Sequence, residues 1–229
     1  MAPKSNLARR FLRWSLITLA LVFGWIVLSL LALKLFNPPT TALQLERRVE
    51  SWFKPGKYMK KHVQVPLAQI SPHLQWAVVA AEDGRFYLHH GFDWTEIQHA
   101  IDEALDDDQD RGRLRGASTI SQQLVKNIFL TTRGGFFRKG MEAAIVPLAE
   151  LILDKRRILE LYLNNIEWAP GVFGAEAAAR FHYRTSAARL SRDQAAHLAA
   201  VLPSPRRRSP ARMDRYSAII LQRMTLMGH

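Results

Sequence analysis

The sequence contains no cysteine. Disulfide staples and thiolate metal sites are excluded, while either redox environment remains compatible with the chain. Acid is also scarce: 20 Asp and Glu stand against 32 Lys and Arg, a formal charge of +12 over 229 residues. That imbalance suits an anionic partner such as nucleic acid, acidic lipid headgroups or a phosphorylated substrate. No internal repeat and no low-complexity tract is present, and the length allows one sizeable domain plus a short accessory segment.

What is present begins with a long apolar run. Trp14 to Leu33 carries no charge over 20 residues, about what a helix needs to cross the hydrocarbon core. Lys4, Arg9, Arg10 and Arg13 precede it, and only Lys34 follows closely. The positive-inside rule therefore predicts residues 1–13 in the cytoplasm, a transmembrane helix over 14–36, and everything later outside the cytoplasm. A cleaved signal peptide is the alternative, but the run is longer than a signal core and lacks a small-x-small site at its end. Apart from those five cations, a surplus of +7 remains. Beyond the membrane, that surplus points away from nucleic acid and toward a membrane-embedded, phosphate-bearing substrate.

Asn37-Pro38-Pro39-Thr40 ends the membrane helix. Residues 37–62 read as a membrane-proximal linker or lobe, with a short amphipathic helix over Thr41 to Phe53. Val63 to Leu67 alternates weakly and predicts a short strand. Ser51-Trp52-Phe53-Lys54 matches the S-x-x-K of penicillin-binding serine enzymes, but no K-T-G follows and the match reads as chance.

The stretch Ser71 to Asp93 holds the first candidate for chemistry. Ser71 is placed to cap a helix and Pro72 to start it. Leu74, Ala77, Val78 and Ala81 recur at helical spacing, and Gly84 is the expected stop. Glu82 then lies at the rim of an apolar face, at the negative end of a helix dipole. Both settings raise a carboxyl pKa, which suits a general base or acid; a solvated glutamate at a helix end is the ordinary alternative. His89 and His90 lack the one-face spacing of helical metal ligands and are expected to serve loop packing or hydrogen bonding. Asp93 caps a helix whose face is Trp94, Ile97, Ile101 and Leu105.

Asp106 to Gly116, charged and flanked by glycines, reads as a mobile loop. Thr119 and Gln122 then make a capping box for a helix that buries Ile120, Leu124 and Ile128. Its Gln122, Gln123, Lys126 and Asn127 form a polar stripe suited to sugar hydroxyls and phosphate oxygens, or an ordinary solvated face. Arg133, Arg138 and Lys139 follow, with an intrahelical Arg138–Glu142 ion pair as the default. That helix is expected to run to Lys155, kinked at Pro147. Ile158 to Asn164 reads as core, Trp168 to Gly174 as a loop and Ala175 to Phe181 as helix. Ser191 with Gln194 caps a helix that reaches Pro203. Pro205 to Arg208 is a basic turn, and Pro210 opens a last amphipathic helix with Tyr216, Ile219, Ile220 and Met224.

Four segments, in this order, resemble the family 51 glycosyltransferases, the peptidoglycan polymerases. They are Glu82-Asp83-x-x-Phe86-x-x-His89-x-Gly91-x-Asp93, Gly116-x-Ser118-Thr119-Ile120-x-Gln122-Gln123-x-x-Lys126-Asn127, Arg138-Lys139-x-x-Glu142, and Lys155-x-x-Ile158-Leu159-Glu160-x-Tyr162-Leu163-Asn164. The resemblance covers about Val63 to Pro205. With no room for a penicillin-binding transpeptidase domain, it is to the monofunctional members. It implies a mainly α, lysozyme-like glycosyltransferase domain over 63–229 with a small membrane-proximal lobe, behind one transmembrane helix. The implied reaction polymerises lipid II into β-1,4-linked glycan and releases undecaprenyl pyrophosphate. The implied location is the bacterial inner membrane, with the catalytic domain periplasmic.

By motif, the resemblance implies Glu82 as the base that deprotonates the acceptor 4-hydroxyl and Asp83 as support for that segment. Glu142 is implied as a donor-region acid that assists pyrophosphate departure or organises its cations. Lys126, Arg138 and Lys139 are implied phosphate holders, with Ser118, Thr119, Gln122, Gln123, Arg133 and Lys155 as further substrate-binding positions. This chain departs from the pattern at Gly134, where the family often has an arginine, at Ala169, at Gln194 and at Pro147. A divalent cation, Mg2+ or Mn2+, could bridge a pyrophosphate, but no carboxylate cluster specifies a site for one. Implied partners are lipid II, the lipid-linked glycan chain and the membrane, with cell-division or elongation proteins as candidates. Two other readings stand beside this one. A membrane-anchored lytic transglycosylase or muramidase would need an acid to protonate a poor sugar leaving group. A periplasmic adaptor would bind lipid II without turnover.

Overall fold

The computed structural model describes residues 4–53, 58–105 and 118–229. Lys54 of the S-x-x-K match, the expected mobile loop and Gly116 of the second motif lie outside them. The chain runs α1 (Lys4–Leu35), α2 (Ala42–Trp52), β1 (Lys61–His62), α3 (Pro72–Glu82), α4 (Trp94–Leu105), α5 (Ile120–Phe129), α6 (Gly135–Ile152), α7 (Lys155–Asn165), β2 (Glu167–Ala169), β3 (Val172–Phe173), α8 (Ala175–Tyr183), α9 (Arg192–Ala199) and α10 (Asp214–Leu226).

α1 starts well ahead of the expected Trp14; its part from Ala8 to Leu35 spans 28 residues, and the most apolar 18-residue stretch within it has a mean hydropathy of 2.6. At 1.5 Å per residue that part is about 42 Å long, more than the roughly 30 Å of a hydrocarbon core. Its last turns are covered by protein: Ile26, Leu30 and Leu33 are buried, and the helix packs along α6. Trp25 meets Phe129 edge-on at 6.1 Å, and Arg157 Nε donates to the Leu33 carbonyl at 2.8 Å.

α7 lies at the centre of the rest. Ile158, Leu159, Leu161, Tyr162 and Leu163 are fully buried there, as the sequence pattern predicts. Each large apolar side chain so enclosed contributes about 1.5–3 kcal/mol. α5 packs on both α6 and α7, while α3 packs on α9 and α10. The cleft described below therefore lies where the end of α3 meets the start of α5.

A three-stranded sheet of order β1-β3-β2 closes one end, β1 parallel and β2 antiparallel to β3. Two expectations need correction here. The strand falls at Lys61–His62 rather than Val63–Leu67, because Pro66 cannot donate to a ladder and leads into a 3-10 turn at Leu67–Gln69. Trp168 to Gly174 is a hairpin rather than a loop. Its turn needs glycine: Gly171 has φ +76°, and a Cβ there would sit 2.9 Å from the Met59 carbonyl. Asn164 clamps the approaching chain, accepting from Val65 N–H and donating to Val65 O, both at 2.9 Å.

Several helix ends also differ. Ser71 stands at the start of α3, yet its hydroxyl donates to the Leu190 carbonyl at 2.9 Å and so ties α3 to the entry of α9. α3 ends on Asp83 in an extended conformation (φ −160°) rather than on a left-handed Gly84. α6 runs unbroken across Pro147 and stops at Ile152. Asp154 then caps α7 by accepting from Arg157 N–H at 2.8 Å. On the apolar face expected for α4, Trp94 and Ile101 are exposed and Ile97 is half-buried. Pro210 opens a 3-10 turn, and α10 begins at Asp214.

Candidate active site

A cleft of about 770 Å³ opens at the junction of α3 and α5. Glu82, Ser118, Gln123 and Lys126 line it, together with Tyr216 and Arg223 of α10. Glu82 is the last residue of α3, partly open to the cleft with the apolar helix behind it. Burial raises its carboxyl pKa. The raise is opposed first by a hydrogen bond from Gln123, then by the charges of Lys126 and Arg208, while Asp83 adds to it.

Gln123 fixes the position of that carboxylate. Its Nε2 donates to Glu82 Oε2 at 2.8 Å, and its Oε1 accepts from the Tyr162 hydroxyl at 2.9 Å. A carboxylate accepts only, so the amide must turn its NH₂ to Glu82 and its oxygen to the phenol. Tyr162 is buried in α7, and its phenol pKa stands well above the ordinary value, through burial first and then through Glu82 and Asp83. It remains a donor at any working pH.

Asp83 points the other way, into protein. Its Oδ2 accepts from Ile120 N–H at 2.9 Å, and its two oxygens take His89 Nε2 at 2.9 and 3.1 Å. His89 Nδ1 accepts from Gly91 N–H at 3.2 Å, which places the imidazole proton on Nε2. Asp83 thereby ties the end of α3 to the start of α5 and sets Glu82 opposite Gln123. With Asp93 these residues bring three ligand atoms within 4.8 Å of one another, a cluster that sequence spacing does not reveal. Asp93 is engaged as well: its Oδ1 accepts from Thr95 and Glu96 N–H at 3.1 and 3.2 Å, and its Oδ2 lies 3.2 Å from Arg85 Nε. A cation there would have to break the His89–Asp83 bond, so the cluster fits a scaffold better than a divalent site.

The cations gather beyond Gln123. Glu142, only 1% exposed, carries Arg138 Nη1 on one oxygen and Lys139 Nζ on the other at 2.8 Å. Lys139 Nζ also donates to Ser118 Oγ at 3.2 Å. Burial lowers the Lys126 pKa, the Arg138 charge lowers it further, and Glu82 opposes. Lys139 is lowered by burial and then by Arg138 and Lys126. Arg138 and Lys139 thus share one buried acid, and Lys126 feels Arg138 on one hand and Glu82 on the other.

Other expected site residues lie elsewhere in the network. Gln122 is buried and closes the capping box: its Oε1 accepts from Thr119 N–H at 2.9 Å, and its own N–H donates to Thr119 Oγ1 at 3.2 Å. The Thr119 hydroxyl donates to the Gly91 carbonyl at 2.6 Å. Lys155 donates to Glu150 at 2.8 Å and sits 4.5 Å over the Phe86 ring, so it stands apart from the three cations. Arg133 is exposed and pairs with Glu46 and Glu50 of α2 at 3.9 and 3.6 Å. Gly134 precedes α6 at φ +113°, a left-handed position that an arginine would occupy only under strain. Phe136 and Phe137, at 98% and 81% exposure, project from the same end of α6. No motif singles out Tyr216 and Arg223; the packing of α10 against α3 brings them to the cleft that Glu82 lines.

The sequence model of the family described as Transglycosylase matches residues 48–225. A biosynthetic peptidoglycan transglycosylase from Ectopseudomonas mendocina (strain ymp) is 46% identical over 230 residues, covering 97% of this chain and 90% of that protein. One of the same name from Pseudomonas fluorescens (strain SBW25) is 48% identical over 206 residues, covering 88% of this chain and 84% of the relative.

Proposed function

Because the chain belongs to the transglycosylase family and is a peptidoglycan glycosyltransferase, we propose that Glu82 takes the proton of the acceptor hydroxyl while Lys126, Arg138 and Lys139 grip the donor's pyrophosphate. The observation that carries this division is the cleft itself: Glu82, Gln123 and Lys126 all line it, and Gln123 holds the carboxylate. The acceptor is lipid II, and the donor is the growing lipid-linked glycan. The 4-hydroxyl oxygen of the acceptor bonds to the anomeric carbon of the donor. The bond from that carbon to the pyrophosphate oxygen breaks, the hydroxyl proton passes to Glu82, and undecaprenyl pyrophosphate departs.

A pyrophosphate leaves readily, so the enzyme has to orient the acceptor, remove one proton and neutralise negative charge as it grows. A buried acid with its oxygens already taken by Arg138 and Lys139 suits the organising role for Glu142, in preference to direct contact with the leaving group. Within the lysozyme-like fold, a lytic enzyme would need a proton donor for a sugar leaving group and would have little use for the cation cluster.

The reading places residues 1–13 in the cytoplasm, the anchor at 14–36, a membrane-proximal segment at 37–62 and the catalytic domain at 63–229 in the periplasm. The apolar α1 supports membrane attachment. Phe136 and Phe137, exposed beside Arg138 and Lys139 on the helix along which α1 packs, suit a second contact with anionic lipid. Divisome or elongation proteins remain candidate partners. The test is incubation of the full-length protein with lipid II in detergent. Lysozyme-sensitive glycan is expected, with no soluble fragments released from purified sacculi; Lys126→Met should raise KM for lipid II. Release of fragments without polymer would overturn the reading.

A further inference from the structure

α3 ends abruptly for a helix that carries the proposed base. Asp83 N–H closes the last turn on the Val79 carbonyl at 2.9 Å, and Asp83 itself is already extended at φ −160°. The next carbonyl in the ladder, that of Ala80, therefore has no partner within the helix. α10 supplies one: Arg223 Nη1 donates to it at 3.2 Å. Ala80 is buried, Arg223 is half-buried, and both line the cleft with Glu82, which follows Ala80 by two residues. A guanidinium at that point satisfies an orphan acceptor and sets positive charge at the negative end of the α3 dipole. Among the described residues that carbonyl is the one protein partner of the Arg223 side chain. α10 is held in turn. Arg192 of α9 donates Nη2 to the Leu221 carbonyl at 3.3 Å and to Thr225 Oγ1 at 2.7 Å, on either side of Arg223 in the chain.

We propose that Arg223 is a positioning residue for the reaction: it clamps the last turn of α3 through the Ala80 carbonyl and so holds Glu82 in register with Gln123 and the acceptor hydroxyl. The proposal rests on Glu82 being the base. The end of α3 is gripped at three points. Asp83 accepts from Ile120 N–H, Gln123 donates to the Glu82 carboxylate, and Arg223 takes the backbone just ahead of it. The first two lead to α5. Arg223 ties the same turn to α10, so the carboxylate is set between two packed elements. The cleft gives water a way to the Ala80 carbonyl once the guanidinium is gone. A water replaces the hydrogen bond but not its direction, so losing Arg223 costs little stability and much alignment.

The experiment compares wild type with Arg223→Met, Arg223→Lys and Arg192→Met, as full-length proteins in detergent, by lipid II polymerisation kinetics and by amide hydrogen exchange. Arg223→Met should lower kcat roughly five- to fiftyfold with KM for lipid II within about twofold, since the acceptor still binds while the base is out of place. Amides over 78–83 should exchange faster, and those of α5 and α7 should stay as in wild type. Melting should stay close to that of wild type. The kcat loss should persist well below the melting range, which a merely destabilised protein would not show. Arg223→Lys keeps a charged donor for the carbonyl and should recover most of kcat and of the protection. Arg192 lies outside the cleft lining, so Arg192→Met only loosens the stretch of α10 from which Arg223 extends. It should move both readouts the same way by less, and it decides the matter should Arg223→Met fail to fold. Unchanged kcat, a loss carried by KM, or exchange over 78–83 as in wild type overturns the proposal. Polymer at the wild-type rate in Glu82→Gln would instead remove the base assignment, and exchange would still report whether Arg223 holds the turn.

Discussion

Gln123 Nε2 donates to Glu82 Oε2 at 2.8 Å, and the Tyr162 hydroxyl at 2.9 Å fixes which way the amide faces. Gln123→Leu keeps the volume but leaves the Glu82 carboxylate and the buried Tyr162 hydroxyl without their partner. It should lower kcat by roughly 10- to 100-fold, with a smaller change in KM, and cost about 1–3 kcal/mol of stability. Tyr162→Phe should act in the same direction with a smaller loss. Parallel kinetics and thermal melts of the two variants check this, and equal kcat in all three proteins would remove Gln123 from the positioning of the base.

The pH–rate profile should be a bell narrower than free side chains would give. Glu82 must be ionised to act, and its pKa is raised from 4.5 chiefly by burial. Activity is therefore lost as pH falls through that raised value, at a higher pH than for an ordinary glutamate. Lys126 must be charged, and its pKa is lowered from 10.5 by burial and Arg138. Activity is lost again as pH rises through that lowered value. Lys126→Arg, which stays protonated, should move only the alkaline limb upward; kcat/KM measured across the range distinguishes the limbs.

Gln122 and Gln123 are neighbours in the same motif with different expected roles. Gln122 is committed to the capping box with Thr119. Gln122→Ala should cost about 1 kcal/mol of stability, lowering Tm by roughly 2–4 °C for a protein of this size. Its activity deficit should disappear at a temperature where the variant is folded, which the Gln123→Leu deficit does not. Melting curves paired with assays at two temperatures separate them.

Glu142→Gln removes the acid beneath Arg138 and Lys139. Uncompensated buried charge is costly, but Lys139 is about half exposed at the surface, so the loss should fall near 2–3 kcal/mol or below. Activity should drop because the cations are no longer held in register, while the acidic limb stays where it is. A shift of that limb would assign Glu142 a proton-transfer role instead.

Local chemistry was the part of this fold that could be read from sequence. Thr119 with Gln122, Ser191 with Gln194, and Asp93 with the helix after it are signals contained within a few residues, and all three form. The buried run of α7 is equally direct, because Ile158, Leu159, Leu161, Tyr162 and Leu163 follow one another with a single interruption. Strands of two or three residues carry no period, so β1 and the hairpin at Gly171 were misplaced. Ser71 has the right residue type for a cap, yet the Leu190 carbonyl, far off in sequence, takes its hydroxyl. The candidate site divides along the same line. Glu82 and the cations of α5 and α6 lie in compact motifs. The Tyr162–Gln123 bond, the Asp83–Ile120 tether and the Arg223–Ala80 bond depend on which helices come to lie side by side. Arg133 is an intermediate case: its type suits phosphate, and the structure pairs it with α2.

The most direct test of the central claim is glycan synthesis by full-length Glu82→Gln with lipid II in detergent. Glutamine keeps the shape and can no longer accept the proton, so no lysozyme-sensitive polymer should form although the protein remains folded and binds substrate. Polymer made at the wild-type rate would contradict the account.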